Sequence, residues 1–309
     1  MSFRLAAAFQ KNQHFLLLVL DDAEQAAYFL NDFEQLLSSS EVLYFPASYR
    51  QPYALETTDN ANILLRAEVL KKLSTSKKPR VVVTYPQAIF EKLISHRTLK
   101  RIGLTLKKDS VVALSELNER LVEMGFERVD FVTEPGEFAV RGGIIDVFSF
   151  AYQHPYRIEF FDDTVERLSS FHVENQRSGA AYDTIEILPD TSNLETTDQR
   201  KTILEFFPAN SSFIFGNLDK ITSKLKSFYE KANLTYTSTA VESQYPPETL
   251  FVSPQEWLDN CKEKSILLLE RSDHLQISDQ LSFKQSPQPA FNKRFELLID
   301  YLNKNHEKG

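Results

Sequence analysis

Two carboxylate clusters and one thiol are the residues whose types and spacing could do chemistry in this 309-residue sequence. Asp21-Asp22-Ala23-Glu24 stands directly after the apolar run Phe15–Leu20, where a nucleotide hydrolase would carry an acidic Mg²⁺ motif. Asp162-Asp163 is a carboxylate pair of the kind used in general acid–base catalysis. Cys261, the only cysteine, would be a nucleophile if a base stood beside it. Each has a simpler structural use. A hydrolase also needs a glycine-rich loop with Lys and Ser/Thr to cradle phosphates and hold the metal. The eight glycines never form G-x-x-x-x-G-K-[ST]. Without that loop, the first cluster suits the start of a helix, where carboxylates cap free N–H groups and face the positive dipole end. Asp162-Asp163 falls between two strand-like segments that need a tight turn. Cys261 lies in a helical pattern and suits the core. The six histidines are scattered, with no His-x₃-His or Cys-x₂-Cys spacing for a metal. No catalytic residue, metal site or cofactor is expected.

The elements that position these residues come in two textures. Up to Ile94, strand and helix alternate. His14–Leu20, Val42–Phe45 and Arg80–Tyr85 are apolar runs of the kind found in strands covered on both faces. Helices are expected at Ser2–Gln10, from Asp22 to about Leu37, over Asn60–Leu73, and from Pro86 to Ile94. In the third, Ile63, Leu64, Ala67, Leu70 and Leu73 form one stripe. Such alternation with short connections predicts a largely parallel sheet.

From about Gly103 the pattern changes. Leu104–Lys107 is a short strand, and Val112–Met124 a helix stopped by Gly125. Pro135–Phe171 then alternates apolar and polar residues on both sides of Gly142-Gly143. Strands are expected at Phe138–Arg141, Gly143–Phe150, Tyr156–Phe161 and Thr164–Phe171, forming an antiparallel meander that Thr184–Leu188 closes. Asp190–Asp198 is a polar seam. Beyond it the α/β texture returns. Thr197 or Asp198 would cap Gln199–Phe207, followed by strand Ser212–Phe215 and helix Leu218–Lys231. Ala232–Pro247 reads as irregular. Ser253 would cap Pro254–Cys261, with strand Ser265–Glu270 and helix Phe291–Asn303 at the end. The expected fold class is α/β, a parallel-sheet domain with an inserted α+β antiparallel-meander domain.

Composition narrows the partners. Hydrophobic residues make up 42% and charged residues 25%, in the range of soluble globular proteins. No apolar run has bilayer-spanning length, and the start lacks a secretory pattern. One cysteine suits a reducing compartment, so a cytoplasmic location is expected. A net charge of −8 and a pI near 5.4 oppose nucleic-acid binding across the whole surface. Lys71-Lys72 and Lys77-Lys78 suit a solvated helix end and loop.

Glu137-Phe138-Ala139-Val140-Arg141-Gly142-Gly143-Ile144-Ile145-Asp146-Val147-Phe148, followed by Tyr156-Arg157-Ile158-Glu159-Phe160-Phe161-Asp162-Asp163, resembles a known domain. It is the UvrA-binding domain shared by the excision-repair protein UvrB and the transcription-repair coupling factors (Mfd). Tyr44-Phe45-Pro46, Arg66 with Glu68-Val69-Leu70, and Val82-Val83-Thr84-Tyr85-Pro86 are similar to the first helicase-like domain of the same families. The resemblance covers most of residues 14–190 and thins afterward. The coupling-factor family fits better. UvrB carries a working phosphate loop and a long Tyr-rich hairpin, whereas Arg66–Leu73 here runs through a short loop into Val81–Tyr85. Phe171–Ser178 is also similar to the coupling-factor version. The sequence opens inside the family's first helix and holds neither a polymerase-binding domain nor a translocase motor, so a piece of a longer protein is expected.

The resemblance implies a degenerate helicase-like (RecA-like, P-loop-derived) domain 1A over 1–102. A UvrA-binding domain 2 would span 103–190, and domain 1B 191–309. It implies a protein-binding module that recruits UvrA to stalled RNA polymerase in nucleotide excision repair, with no catalysis by this part. The longer protein would be an ATP-dependent DNA translocase that also engages RNA polymerase, duplex DNA and its own carboxy-terminal domain. The alternative is a fragment of a UvrB-type DNA helicase or ATPase. Carried onto this sequence, the UvrA contacts fall on Arg141, Arg157 and Phe161. Strand alternation puts Arg157, Glu159 and Phe161 on one face and Ile158 and Phe160 on the other. Arginine offers carboxylates a planar fork, and with aromatic residues it anchors interfaces. The competing use of both arginines is ordinary surface pairing with Glu137, Glu159 or Asp163. As contacts, all three residues should be exposed and cheap to truncate, with Arg157 central. Gly142 and Gly143 should be structural, at least one at positive φ.

Overall fold

The structure is a computed structural model that describes residues 1–48, 53, 60–94, 98, 101–150, 154–188, 200–238, 245–276, 278–280 and 294–306. The chain enters through α1 (Ser2–Asn12), β1 (Leu16–Val19) and α2 (Ala23–Leu36). Every residue of β1 is buried, as its unbroken apolar run requires. Asp22 caps α2, its carboxylate accepting the Gln25 N–H at 2.9 Å. β2 (Val42–Phe45), α3 (Asn60–Thr75) and β3 (Val81–Thr84) follow, and β1 and β2 each pair with β3 in parallel. The buried face of α3 is rotated from the expected stripe. Arg66, Val69, Leu70 and Leu73 are buried, while Ile63, Leu64 and Ala67 are half-buried. Arg66 turns inward because acceptors wait there. It donates to Pro46 O at 2.7 Å and Ala88 O at 3.1 Å, and pairs with Glu91 at 2.8 Å. The helix beginning at Pro86 is a single turn, α4 (Pro86–Ile89). Glu91 and Leu93 leave it to bridge Phe251 and Lys201.

The next elements are β4 (Leu104–Lys107), α5 (Leu114–Glu123), β5 (Glu127–Arg128), β6 (Glu137–Arg141), β7 (Ile144–Val147), β8 (Tyr156–Phe161), β9 (Thr164–Phe171), β10 (Ser178–Tyr182) and β11 (Thr184–Ile187). β5 to β10 form a six-stranded sheet in which each strand lies beside its sequence neighbour, and β4 pairs with β11 separately. The pairing is antiparallel except between β5 and β6. One face of the sheet carries Phe138, Ile145, Val147, Ile158 and Leu168 into a core shared with Leu117 and Leu121 of α5 and Ile185 and Ile187 of β11. The glycine turn between β6 and β7 is structural. Gly142 has φ 60°, and a Cβ on Gly143 would sit 3.0 Å from the Phe160 carbonyl oxygen. Asp162, at φ 50°, turns the chain from β8 to β9. β10 was not expected from the sequence, whose small residues there carry little strand signal.

The Asp190–Asp198 seam, with Thr197 and Asp198, lies outside the described residues. In place of the expected helix ending at Phe207 there is one 3₁₀ turn, Ile203–Phe206, with a capping box between Thr202 and Glu205. β12 (Ser212–Phe215) leads into α6 (Leu218–Ser238). This helix outruns its expected end, with Ala232 still buried, so the stretch from Ala232 begins as helix rather than loop. α7 (Pro247–Leu250) and α8 (Pro254–Lys262) follow, the latter capped by Ser253, which accepts the Glu256 N–H at 3.2 Å. β13 (Ile266–Leu268) completes the parallel sheet, whose order is β13-β12-β1-β3-β2. Segments before and after the meander thus build one sheet, giving a mixed α/β chain with separate parallel and antiparallel sheets. Residues Leu275–Gly309 form a unit of their own, in which α9 (Phe295–His306) is described. Among the described residues, no helix is long and apolar enough to cross a membrane.

Candidate protein-binding site

The acidic cluster at the carboxyl end of β1 is consumed by structure. Asp22 is the α2 cap. Asp21 is 4% exposed. One of its oxygens accepts the Asn217 N–H at 2.8 Å, just before α6, and the other lies 3.0 Å from Lys220 Nζ. A Cβ at Gly216 would fall 2.5 Å from that first oxygen, so the fit needs glycine there. Cys261 is buried, and burial pushes its thiol pKa upward, away from the reactive thiolate. Among the described residues, no three His, Cys, Asp or Glu side chains are grouped to hold a metal ion.

A different arrangement occupies the outer face of the meander. The alternation of β7 sends Ile145 and Val147 to the core and leaves Ile144 and Asp146 on the opposite face. Register aligns Asp146 with Ala139 of β6 and Arg157 of β8. Asp146 is nevertheless fully buried. Arg157 grips it with two prongs, Nε to Oδ1 at 2.7 Å and Nη2 to Oδ2 at 2.8 Å. Arg141 Nη2 donates to the same Oδ2 from β6. Arg157 also donates from Nη1 to Gln176 O at 3.1 Å, and its guanidinium lies 4.7 Å from the centre of the Phe171 ring. The hydrogen bonds to Asp146 raise the Arg157 pKa further above its ordinary value. A small second core of Val132, Ala139, Phe148 and Phe171 closes this end of the face.

Toward the glycine turn the same face is open. Phe161 is 70% exposed. The Arg141 side chain is 39% exposed, and its guanidinium lies 5.1 Å from the centre of the Phe131 ring, itself 61% exposed. Ile144 is half-buried, and Glu159 faces Arg167 at 3.7 Å. The face combines two exposed aromatic side chains, one of them beside a guanidinium whose position is set from beneath by a buried carboxylate, residue types that anchor interfaces.

Residues 104–192 match the family model of the UvrB interaction domain. The match starts with β4 and runs past β11, so it encloses the whole meander, including Arg141, Asp146, Arg157 and Phe161. This segment is similar to a UvrB interaction domain. The chain is also similar to transcription-repair-coupling factors. Identity is 25% over 286 residues with that of Bacillus subtilis, covering 88% of this chain and 23% of the relative. With the Haemophilus influenzae protein it is 27% over 254 residues, 79% of this chain and 22% of the relative. With the Rickettsia bellii protein it is 33% over 190 residues, 61% of this chain and 17% of the relative. The chain thus spans less than a quarter of the length of these relatives. Most of the chain is thus similar to the part of transcription-repair-coupling factors that contains a UvrB interaction domain.

Within the UvrB interaction domain, the three contact residues expected from sequence share one face, and Asp146 draws Arg141 and Arg157 together. One expectation needs correction. Arg157 is not exposed; its side chain is 16% accessible, held between Asp146, Gln176 and Phe171. The competing use, ion pairing, does occur, but with Asp146 rather than with Glu137, Glu159 or Asp163. Glu137 instead accepts the N–H groups of Thr133 at 2.6 Å and Glu134 at 2.8 Å. Sequence reasoning missed Asp146 and Phe131. For Asp146 a signal existed: one carboxylate in an otherwise apolar strand, flanked by strands that each carry an arginine. Phe131 sits in a loop, where periodicity says nothing about exposure.

Proposed function

We propose that the UvrB interaction domain of this chain binds UvrA through the open part of the meander's outer face. The chain would then serve transcription-coupled nucleotide excision repair as a recruiting module, bringing UvrA to stalled RNA polymerase. The observation that carries this reading is Phe161, an exposed aromatic side chain on the same face as two arginines clamped to one buried carboxylate. An exposed ring on a face with pre-positioned arginines suits the dry centre of an interface. Arg141 and Phe161 are the direct contacts. Arg157 contributes through the outer edge of its guanidinium and by fixing Asp146. The parallel sheet is the body of a degenerate helicase-like domain to which segments 1–102 and 191–309 both contribute, and 103–190 is the recruiting domain. The body is not an enzyme: no phosphate loop is encoded, and Asp21 is spent on Asn217 and Lys220. RNA polymerase, duplex DNA and a masking carboxy-terminal domain are partners of the longer cytoplasmic protein. The test is calorimetric titration of the chain with purified UvrA and, separately, with Mg·ATP. Saturable binding of UvrA and a flat ATP titration are expected. No UvrA binding, or micromolar ATP binding, would overturn the corresponding half.

A further inference from the structure

We propose that Phe131 is a further contact residue of this face, forming with Arg141 a ring-and-guanidinium pair that receives a carboxylate flanked by apolar side chains on UvrA. The proposal rests on the UvrA reading above and names chemistry that the partner must present. Phe131 is 61% exposed, yet the loop that bears it is tied at both ends. Val129 N–H donates to Phe138 O at 2.9 Å, and the next residue after Phe131, Val132, is fully buried. Beyond that, one oxygen of Glu137 accepts from Thr133 N at 2.6 Å, Thr133 Oγ1 at 3.0 Å and Glu134 N at 2.8 Å. The ring is therefore held out by a fixed loop, and little ordering entropy is lost when a partner covers it.

Its position relative to Arg141 gives the ring a use. The guanidinium carbon stands 5.1 Å from the ring centre, within cation–π range. Arg141 Nη2 is committed to Asp146, and its other N–H groups have no acceptor among the described residues. A guanidinium fixed by a ring on one side and a carboxylate at one corner presents those N–H groups outward, ready for a carboxylate. The exposed ring beside it offers apolar area to the residues next to that carboxylate.

The test is UvrA titration of the chain carrying Phe131→Ala, Phe131→Leu, Arg141→Ala or the Phe131→Ala/Arg141→Ala pair, with Phe161→Ala in parallel and a thermal melt for each. Phe131→Ala should weaken binding about tenfold with an unchanged melt. The double variant should lose less than the product of the two single losses, because the residues act as a pair. Phe131→Leu keeps apolar bulk but no ring, and should fall between wild type and Phe131→Ala. Full-strength binding by Phe131→Ala or Phe131→Leu while Phe161→Ala binds weakly would overturn the proposal and leave the UvrA reading standing. Independent, fully additive losses would overturn the pairing. No binding by the unsubstituted chain would remove the UvrA reading itself.

Discussion

Two buried carboxylates in this chain are neutralised in opposite ways. Asp21, at the carboxyl end of the central strand of the parallel sheet, is satisfied by a backbone N–H and by Lys220, whose side chain is 58% exposed. Its charge is settled locally, at the start of α6. Asp146, on the meander, is gripped by two arginines from neighbouring strands. One of them, Arg141, continues to the surface beside the exposed Phe131 ring, and Phe161 is exposed on the same side of the sheet. A buried ion pair alone does not mark a functional site, since many serve only to seat a loop or helix. What separates these two is the neighbourhood. At Asp21 the network ends in a helix start, whereas at Asp146 it ends in an exposed guanidinium beside an exposed ring.

The contrast can be broken first at Arg157. If it is a buried strut, Arg157→Ala should destabilise the domain by about 3 kcal/mol, because Asp146 would keep only the half-exposed Arg141. Arg157→Lys should recover part of this, since one ammonium cannot span both Asp146 oxygens and the Gln176 carbonyl. Denaturant unfolding measures both; a loss below about 0.5 kcal/mol for the Ala variant would return Arg157 to the class of free surface contacts. Next is the turn beside the open face. Gly142→Val places a β-branched residue at φ 60° and should cost about 1–2 kcal/mol, with UvrA binding weakened as β6 and β7 shift. Unchanged stability with lost binding would make the glycine part of the contact surface. The smallest change is at the other carboxylate. Asp21→Ala removes an acceptor for the Asn217 N–H and should cost about 1 kcal/mol while leaving UvrA affinity untouched. A parallel loss of UvrA affinity would erase the distinction between the two sites.

Much of the meander was legible because its signals are local. Alternation on both sides of Gly142-Gly143 places Ile158 inward and Arg157, Glu159 and Phe161 outward, and Asp162 takes the turn that its type suggests. Burial of Arg157 was not legible. It depends on Gln176 and Phe171 closing over the arginine, and on a carboxylate one strand away in space but eleven residues away in sequence. The same limit explains α4. Its pattern allows a longer helix, but Glu91 and Leu93 are drawn off to bridge residues far along the chain. For α6 the error ran the other way, since its polar last turns resemble loop while Ala232 on its inner side stays buried.

The central claim is that the open face of the meander, rather than its buried ion pair or the strand end at Asp21, binds the partner. Phe161→Ala isolates that claim, because the side chain is 70% exposed. Titration with UvrA should show a loss of about 2–4 kcal/mol, or roughly thirtyfold to a thousandfold in affinity. The unfolding free energy of the same variant should stay within about 0.5 kcal/mol of wild type. Full-strength UvrA binding by a folded Phe161→Ala chain would contradict the account.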